Sequence, residues 1–418
     1  MSDAPKVAAP QGPMDRADVR VTHAVGVSGA MGAFLDRIRS GDLGSLPVVV
    51  GLAVIWTVFT WLNPLFVSSV NLVNLLFESS TVGVISLGIV CILMVGEIDL
   101  SVGSVSGLAS ALLGMLWVNQ GWPVWATVPA AILMGGVIGW VYALLFNRFG
   151  MPSFVSTLSG LLAFLGLQLY VLGGTGSINL PYESFLVRFG QILTMPHLVA
   201  YALAAMPGLF VIISGYQRIA RRKAGNLSAG SFGGVVLHAA TITIVLELAA
   251  YYLNLSRGVP WMFGLFAGLV VAMNYALTRT KWGRSMTAVG GNREAARRAG
   301  IDVRRIYTSA FVLCGMLAAT GGILAAARLA SASQQAGTGD VNLNAIAGAV
   351  IGGTSLFGGR GSAYSALLGI IVIGSISSGL TLLDLSSSLR YMITGAVLAI
   401  AVIVDSLARR SRASHGRA

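Results

Sequence analysis

Charge is scarce in this chain. Only 10% of its 418 residues are charged, against about 25% in soluble domains. With 55% hydrophobic residues and a mean hydropathy of +0.80, too little polar surface remains to cover a soluble fold of this size. Lysine is nearly absent: Lys6, Lys223 and Lys281 are the only three, and none follows a glycine. A nucleotide-binding Walker A loop needs Gly-Lys-[Ser/Thr], because its amides cradle the phosphates while the lysine reaches them. ATP hydrolysis by this chain is therefore not expected. The two cysteines, Cys91 and Cys314, both lie inside apolar runs, which argues against a disulfide framework and reads them as small buried hydrophobes. The four histidines, His23, His197, His238 and His415, have no ligand-like spacing, so no metal site is expected. The acids are scattered and no histidine accompanies them, so no catalytic constellation stands out and the chain does not read as an enzyme.

What the chain has is long apolar runs and 53 glycines, many of them inside those runs. Glycine so placed suits close helix packing in lipid and broken membrane helices. A spanning helix needs about 20 apolar residues. About twelve segments can be marked off: 46–62, 71–96, 101–118, 124–146, 153–173, 197–214, 233–255, 260–278, 306–327, 343–357, 361–383 and 390–408. Those at 101–118 and 343–357 are short and Gly-rich, and are expected to include half-helices. The fold class is all-α, a polytopic membrane bundle with broken helices. Residues 1–40 are polar, carry Pro5, Pro10 and Pro13, and lack an apolar run near the start. They read as a disordered cytoplasmic tail with a short helix around Phe34–Arg39, ahead of a membrane domain at 46–410.

The formal charge of +12 does not point to nucleic acid, because the basic residues sit between apolar segments rather than along one face. They cluster on every second connection, as the positive-inside rule requires. Arg37 and Arg39 precede the first segment, Arg148 follows the fourth, and Arg218, Arg221, Arg222 and Lys223 follow the sixth. Eight more, from Arg279 to Arg305, follow the eighth, and Arg409, Arg410 and Arg412 follow the twelfth. Both termini are thus expected to be cytoplasmic, with 279–305 the long cytoplasmic connection. The connection 174–196 should be the largest external loop. Arg188, Arg257 and Arg328 are the exceptions to the pattern.

Two stretches carry chemistry. In Val95-Gly-Glu-Ile-Asp-Leu-Ser-Val-Gly103, Glu97 and Asp99 sit between apolar segments, where an ionisable group is costly unless it faces a cavity or finds a partner. The stretch either borders a solute path or caps a broken helix, with Asp99 or Ser101 as the cap. Glu78 and Glu247, within apolar runs, read as partners inside the bundle. The second stretch, Ala288 to Ile306, predicts a short helix over Glu294–Arg298 with Asn292 as cap, Glu294 near the positive end and Gly300 as stop. A basic helix held by lipid head groups fits this stretch alone as well. A faint repeat, Ser110-Ala-Leu-Leu-Gly114 and Ser365-Ala-Leu-Leu-Gly369, follows a Gly-rich stretch each time and suggests two weakly related halves.

Five stretches, spread over nearly the whole chain, resemble the permease subunits of ribose, galactose and xylose ABC importers. They are GEIDLSVGS at 96–104, MPSFVSTLSGLLAFLG at 151–166, RGVP at 257–260, GGNREAARRAGI at 290–301 and AIAGAVIGGTSLFGGRGS at 345–362. The extra basic connection and apolar segment at 215–255 resembles the longer xylose-type members. Asn344 departs from the family, which usually has Asp there. The resemblance implies a type II-like ABC permease in the bacterial inner membrane, conducting a monosaccharide. It implies a homodimer of this subunit and a cytoplasmic protein with two nucleotide-binding domains that uses the ATP and magnesium. It also implies an external sugar-binding protein, and no cofactor on this chain. Asn292, Glu294, Ala295, Ala296 and Gly300 are the expected contacts to the ATPase. Asn74, Glu97, Asp99, Ser101, Ser104, Thr157 and Gln168 are the weakly polar groups expected along the path. An ion-coupled transporter, which Glu97, Asp99 and Glu247 would suit, is the rival that the Glu-Ala-Ala-x-x-x-Gly spacing opposes.

Overall fold

A computed structural model describes residues 46–225, 227, 231–386, 388–397, 399 and 403; the expected tail and its short helix at 34–39 lie outside them. The described chain is helical almost throughout, because a segment surrounded by lipid must satisfy its own backbone hydrogen bonds. Among the described residues, nine helices are long and apolar enough to cross a membrane. Two compact units are present.

The larger unit begins with α1 (Leu46–Leu62), a short apolar helix. It continues with α2 (Ser69–Met94), α3 (Val102–Gly114), α4 (Val124–Phe149) and α5 (Ser153–Leu172). Local chemistry sets the boundaries. Ser68 Oγ accepts from the Asn71 N–H to start α2, and Gly150 adopts a left-handed conformation to end α4. The connection 174–196, expected to be the largest external loop, carries structure of its own: β1 (Ser177–Asn179) is followed by α6 (Phe185–Gln191). β1 pairs antiparallel with β2 (Ser331–Ser333), Ile178 opposite Ala332, and both of those side chains are buried. Their burial beside Leu172 and Ala111 is what orders the loop.

After the second unit the chain forms α9 (Trp261–Arg279), α10 (Lys281–Gly291), α11 (Arg293–Arg298), α12 (Val303–Leu329), β2, α13 (Val341–Ile351) and α14 (Ala363–Leu382). The segment marked at 343–357 is a helix only to Ile351, since Gly353, Gly358 and Gly359 hold positive φ and the chain runs on as coil to Ser362. Of the last segment, residues 390–397, 399 and 403 are described, and they are helical. α12 is the centre of this unit, packed on α2, α3 and α4. It meets α4 backbone to backbone: a Cβ at Gly139 would overlap the Phe311 carbonyl, and one at Gly315 the Gly135 carbonyl. Small residues permit this approach, and dispersion across it replaces the hydrophobic drive that lipid does not supply. Large apolar side chains such as Leu133, Val137 and Trp140 of α4 point outward, as they do where the surrounding solvent is hydrocarbon.

The smaller unit consists, among described residues, of α7 (His197–Ala224) and α8 (Phe232–Asn254), an antiparallel pair. Gly208 sits against Thr243 and Gly215 against Val235, and the Tyr216 and Phe232 rings meet edge to face at 6.3 Å. Glu247 is half-buried on α8 with no ion pair among the described residues, so the partner expected for it is not found.

The pentapeptide repeat does not mark equivalent positions. Ser110–Gly114 is the C-terminal end of α3, whereas Ser365–Gly369 opens α14. The Gly-rich stretches before the two copies are a different matter: both are coil, and they touch.

Candidate functional site: a glycine junction beneath an exposed helix

The long basic connection folds as two short helices. Thr280 Oγ1 accepts from the Gly283 N–H to start α10, which buries Gly283, Met286 and Val289 on one face. Asn292 is extended, and its Oδ1 accepts from the Ala295 N–H at 2.9 Å, so α11 begins as the sequence predicts. Glu294 lies in the first turn and pairs with Arg297 at 2.9 Å and Arg298 at 3.4 Å. Gly300, at φ 81°, ends the helix. Asn292, Glu294, Ala295 and Gly300 are exposed and Ala296 is buried. A rigid, solvent-facing helix is thereby held on the bundle by one small side chain and its two ends.

Beneath α11, three chain segments meet at their backbones. The Gly359 N–H donates to the Met94 carbonyl at 3.0 Å. A Cβ at Gly290 would overlap that same carbonyl oxygen and lie 2.5 Å from Gly359 N. One at Gly358 would lie 2.7 Å from the Gly290 carbonyl oxygen and 3.0 Å from Gly96 Cα. Contacts this close exist only without side chains. The end of α10, the coil between α2 and α3 and the coil between α13 and α14 therefore form one junction.

Arg293, the first residue of α11, reinforces the junction. Its guanidinium lies 5.5 Å from the Phe146 ring and 5.3 Å from the Tyr307 ring, within cation–π range. The Tyr307 hydroxyl donates to the Val95 carbonyl at 3.4 Å. Glu97, half-buried, accepts from Ser153 Oγ at 2.6 Å. Burial pushes its carboxyl above the usual range, while the Ser153 hydroxyl and the nearby Arg293 charge pull it back. Removing that hydroxyl with Ser153→Ala leaves a partly buried acceptor unpaired. The expected loss is about 1–2 kcal/mol, read as a lower thermal midpoint of the purified protein, and smaller at acid pH where Glu97 is protonated and needs the donor less.

Asp99 is buried, and its Oδ1 accepts both the Ser101 N–H at 2.8 Å and the Ser101 hydroxyl at 2.7 Å. Burial raises its carboxyl and the Ser101 bonds oppose the rise. Of the two caps expected, Ser101 takes the cap position of α3 but makes no side-chain cap bond, and Asp99 holds the turn before the helix instead of capping it. Ser104 Oγ donates to the Ser101 carbonyl, and Thr157 Oγ1 donates to the Ser153 carbonyl and accepts from the Leu100 N–H at 3.2 Å.

Glu97, Asp99, Ser101, Ser104 and Thr157 thus form one cluster, and the last four are buried with protein partners. The other two residues expected along a path lie apart from it. Gln168 Nε2 donates to the Ser333 and Ala336 carbonyls, fixing the chain that follows β2. Asn74, near the far end of α2, accepts from Arg257 at 3.3 Å and Arg328 at 3.4 Å, and both guanidiniums also lie over Phe77. Glu78 has its partner there, Arg328 at 3.9 Å, but the carboxylate is more than half exposed rather than enclosed in the bundle. Gly290, Arg293, Gly359, Tyr307 and Ser153 were not singled out from the sequence. The Gly-Gly doublets at 290–291 and 358–359 were a signal for part of this.

Residues 71–402 match the family described as branched-chain amino acid transport system / permease component. The xylose transport system permease protein XylH of Escherichia coli K12 is 34% identical over 89% of this chain and 94% of its own length. XylH of Haemophilus influenzae is 31% identical over 88% and 98%. The ribose import permease protein RbsC of Bacillus subtilis is 30% identical over 87% and 94%. No solved structure matches significantly. With many apolar spans, an exposed capped helix and broken helices joined beneath it, the chain belongs to this family of multi-pass transport permeases.

Proposed function

We propose that this chain is the membrane permease of an ATP-driven sugar importer in a bacterial inner membrane, and that its sugar is D-xylose. The observation that carries this reading is the end-to-end likeness to xylose permeases, extending across both chains rather than a shared segment. Two copies form the path, with both termini and the connection 279–305 in the cytoplasm. A separate ATP-binding protein hydrolyses ATP with magnesium, and its groove receives α11 through the exposed Asn292, Glu294, Ala295 and Gly300, while the buried Ala296, expected as a further contact, seats the helix on this chain instead. An external sugar-binding protein delivers the solute. Because α11 follows directly on α10, whose last turn is part of the junction, ATP-driven movement of the partner is passed through Gly290 to the coils at 95–101 and 352–362, and the cluster around Glu97 and Asp99 keeps the first of these coils in register. Alternating access follows from one lever acting on two broken helices.

The test is uptake of labelled D-xylose by vesicles containing this chain, its ATP-binding protein and its sugar-binding protein, with ribose, arabinose and galactose as competitors. Uptake is expected only with all three proteins and ATP. Uptake without nucleotide, driven by an ion gradient, would sink the assignment. Stronger competition by ribose than by xylose itself would move the substrate to ribose, as the likeness to RbsC allows.

A further inference from the structure

α13 has two ends with different neighbours. Its C-terminus runs into the coil that reaches the glycine junction. Its N-terminus borders an open-sided cavity of about 170 Å³ formed with α14 and the helical residues 388–397, where one water needs only about 15 Å³. The walls mix donors and acceptors: Asp340 at the cap of α13 and Asn344 within it, Ser377 from α14, and Arg390, Tyr391 and Thr394. Ile373 and Leu380 supply an apolar side. One acid and one base line the space, which suits a ligand without net charge.

One polar atom of a lining residue is left over by the fold. The Asn344 amide nitrogen donates to Asp340 Oδ2 at 3.0 Å, while Asn344 Oδ1 is buried with no hydrogen-bond partner among the described residues. A buried acceptor left unmade costs about 1–3 kcal/mol, and because Asn344 lines the cavity, a small turn of its amide presents this acceptor to a donor arriving there. Hydroxyl-bearing, amide, carboxylate and guanidinium groups opposite an apolar wall match a small ring with hydroxyls at its edge and C–H bonds on its face.

We infer that this cavity is a monosaccharide subsite on the permease itself. Asn344 Oδ1 and Asp340 accept from sugar hydroxyls, Arg390 donates to a sugar oxygen, and Ile373 and Leu380 cover the C–H face of the ring. The inference rests on the sugar-permease reading. α13, eleven residues or roughly 16 Å at 1.5 Å per residue, then runs from subsite to junction, so the displacement that moves the coil also moves two of the sugar's ligands.

The experiment uses the full transporter in vesicles with Ser377→Cys. Ser377 is exposed, and the native thiols Cys91 and Cys314 are buried, so a small polar thiol reagent reports on position 377. D-Xylose, added without the sugar-binding protein, is expected to slow the labelling several-fold, and L-leucine to leave it unchanged. Asn344→Leu is expected to reduce the sugar moved per ATP hydrolysed by roughly tenfold, the value of one hydrogen bond to a buried acceptor. The concentration for half-maximal uptake, set by the external binding protein, should stay the same. Labelling indifferent to D-xylose in vesicles that import it with ATP overturns the subsite and leaves the importer standing, as does protection by L-leucine alone. Absence of any ATP-driven sugar uptake in unsubstituted vesicles overturns the importer and the subsite together.

Discussion

Gly290→Val should abolish sugar uptake while leaving the ATP-binding partner attached. No side chain of any size fits at this position, because its first carbon would overlap the Met94 carbonyl oxygen and press on Gly359 N. These are backbone atoms, which cannot swing aside as a side chain end would. The chain must separate α10 from the two coils, at a cost of about 1–3 kcal/mol or more. The separation falls where movement of α11 would otherwise be handed on. Gly291→Ala, one residue along, is the control: a Cβ there meets nothing within 4 Å, and alanine in a helical turn is preferred to glycine by roughly 0.5–1 kcal/mol. Uptake in Gly291→Ala should be unchanged. Uptake surviving in Gly290→Val, in a protein that purifies as a single species, would remove the junction from the mechanism.

The junction also gives the neighbouring polar residues a common purpose. Asp99 and its bonds to Ser101 stiffen the turn leaving Gly96, and Ser153 and Thr157 tie the same coil to α5. A lever needs stiff arms on both sides of its pivot. On the other side the stiffness comes from Asn292 as cap, the α10 face buried at Met286 and Val289, and Arg293 over the paired Phe146 and Tyr307 rings.

Much of this was legible in the sequence wherever the cause is local. Asn292, Glu294 and Gly300 announce α11 because capping, dipole and left-handed stop are each a property of one residue and its near neighbours. The apolar runs announce the spans for the same reason. What the sequence does not announce is which glycine meets which: Gly290, Gly358 and Met94 are far apart along the chain, and a glycine at a three-way contact looks like any other. Asn74 and Gln168 illustrate the converse. Both are polar groups in apolar runs, but Arg257, Arg328 and the Ser333 and Ala336 carbonyls, which employ them, become visible only in three dimensions. The strand pair β1–β2 escaped notice because three residues are too few to show an alternating pattern.

Glu294→Arg should separate docking from transmission. The substitution leaves the cap at Asn292, the burial of Ala296 and the stop at Gly300 in place, so α11 keeps its frame. It forfeits two exposed ion pairs to Arg297 and Arg298, worth about 0.2–1 kcal/mol each, too little to unfold a bundle anchored on α12. Its larger effect is electrostatic: the sole acid of α11 becomes a fourth arginine beside the positive end of the helix, and like charge at a docking face suppresses association. The expected result is a stable protein that no longer co-purifies with its ATP-binding partner and imports no sugar, with Glu294→Gln intermediate. Gly290→Val, by contrast, should keep the partner and its ATP hydrolysis and lose only the sugar. If both variants lose the partner, the junction supports the docking face rather than transmitting from it; if neither does, α11 is not the docking element, and a basic helix lying on lipid head groups becomes the better account of residues 292–300.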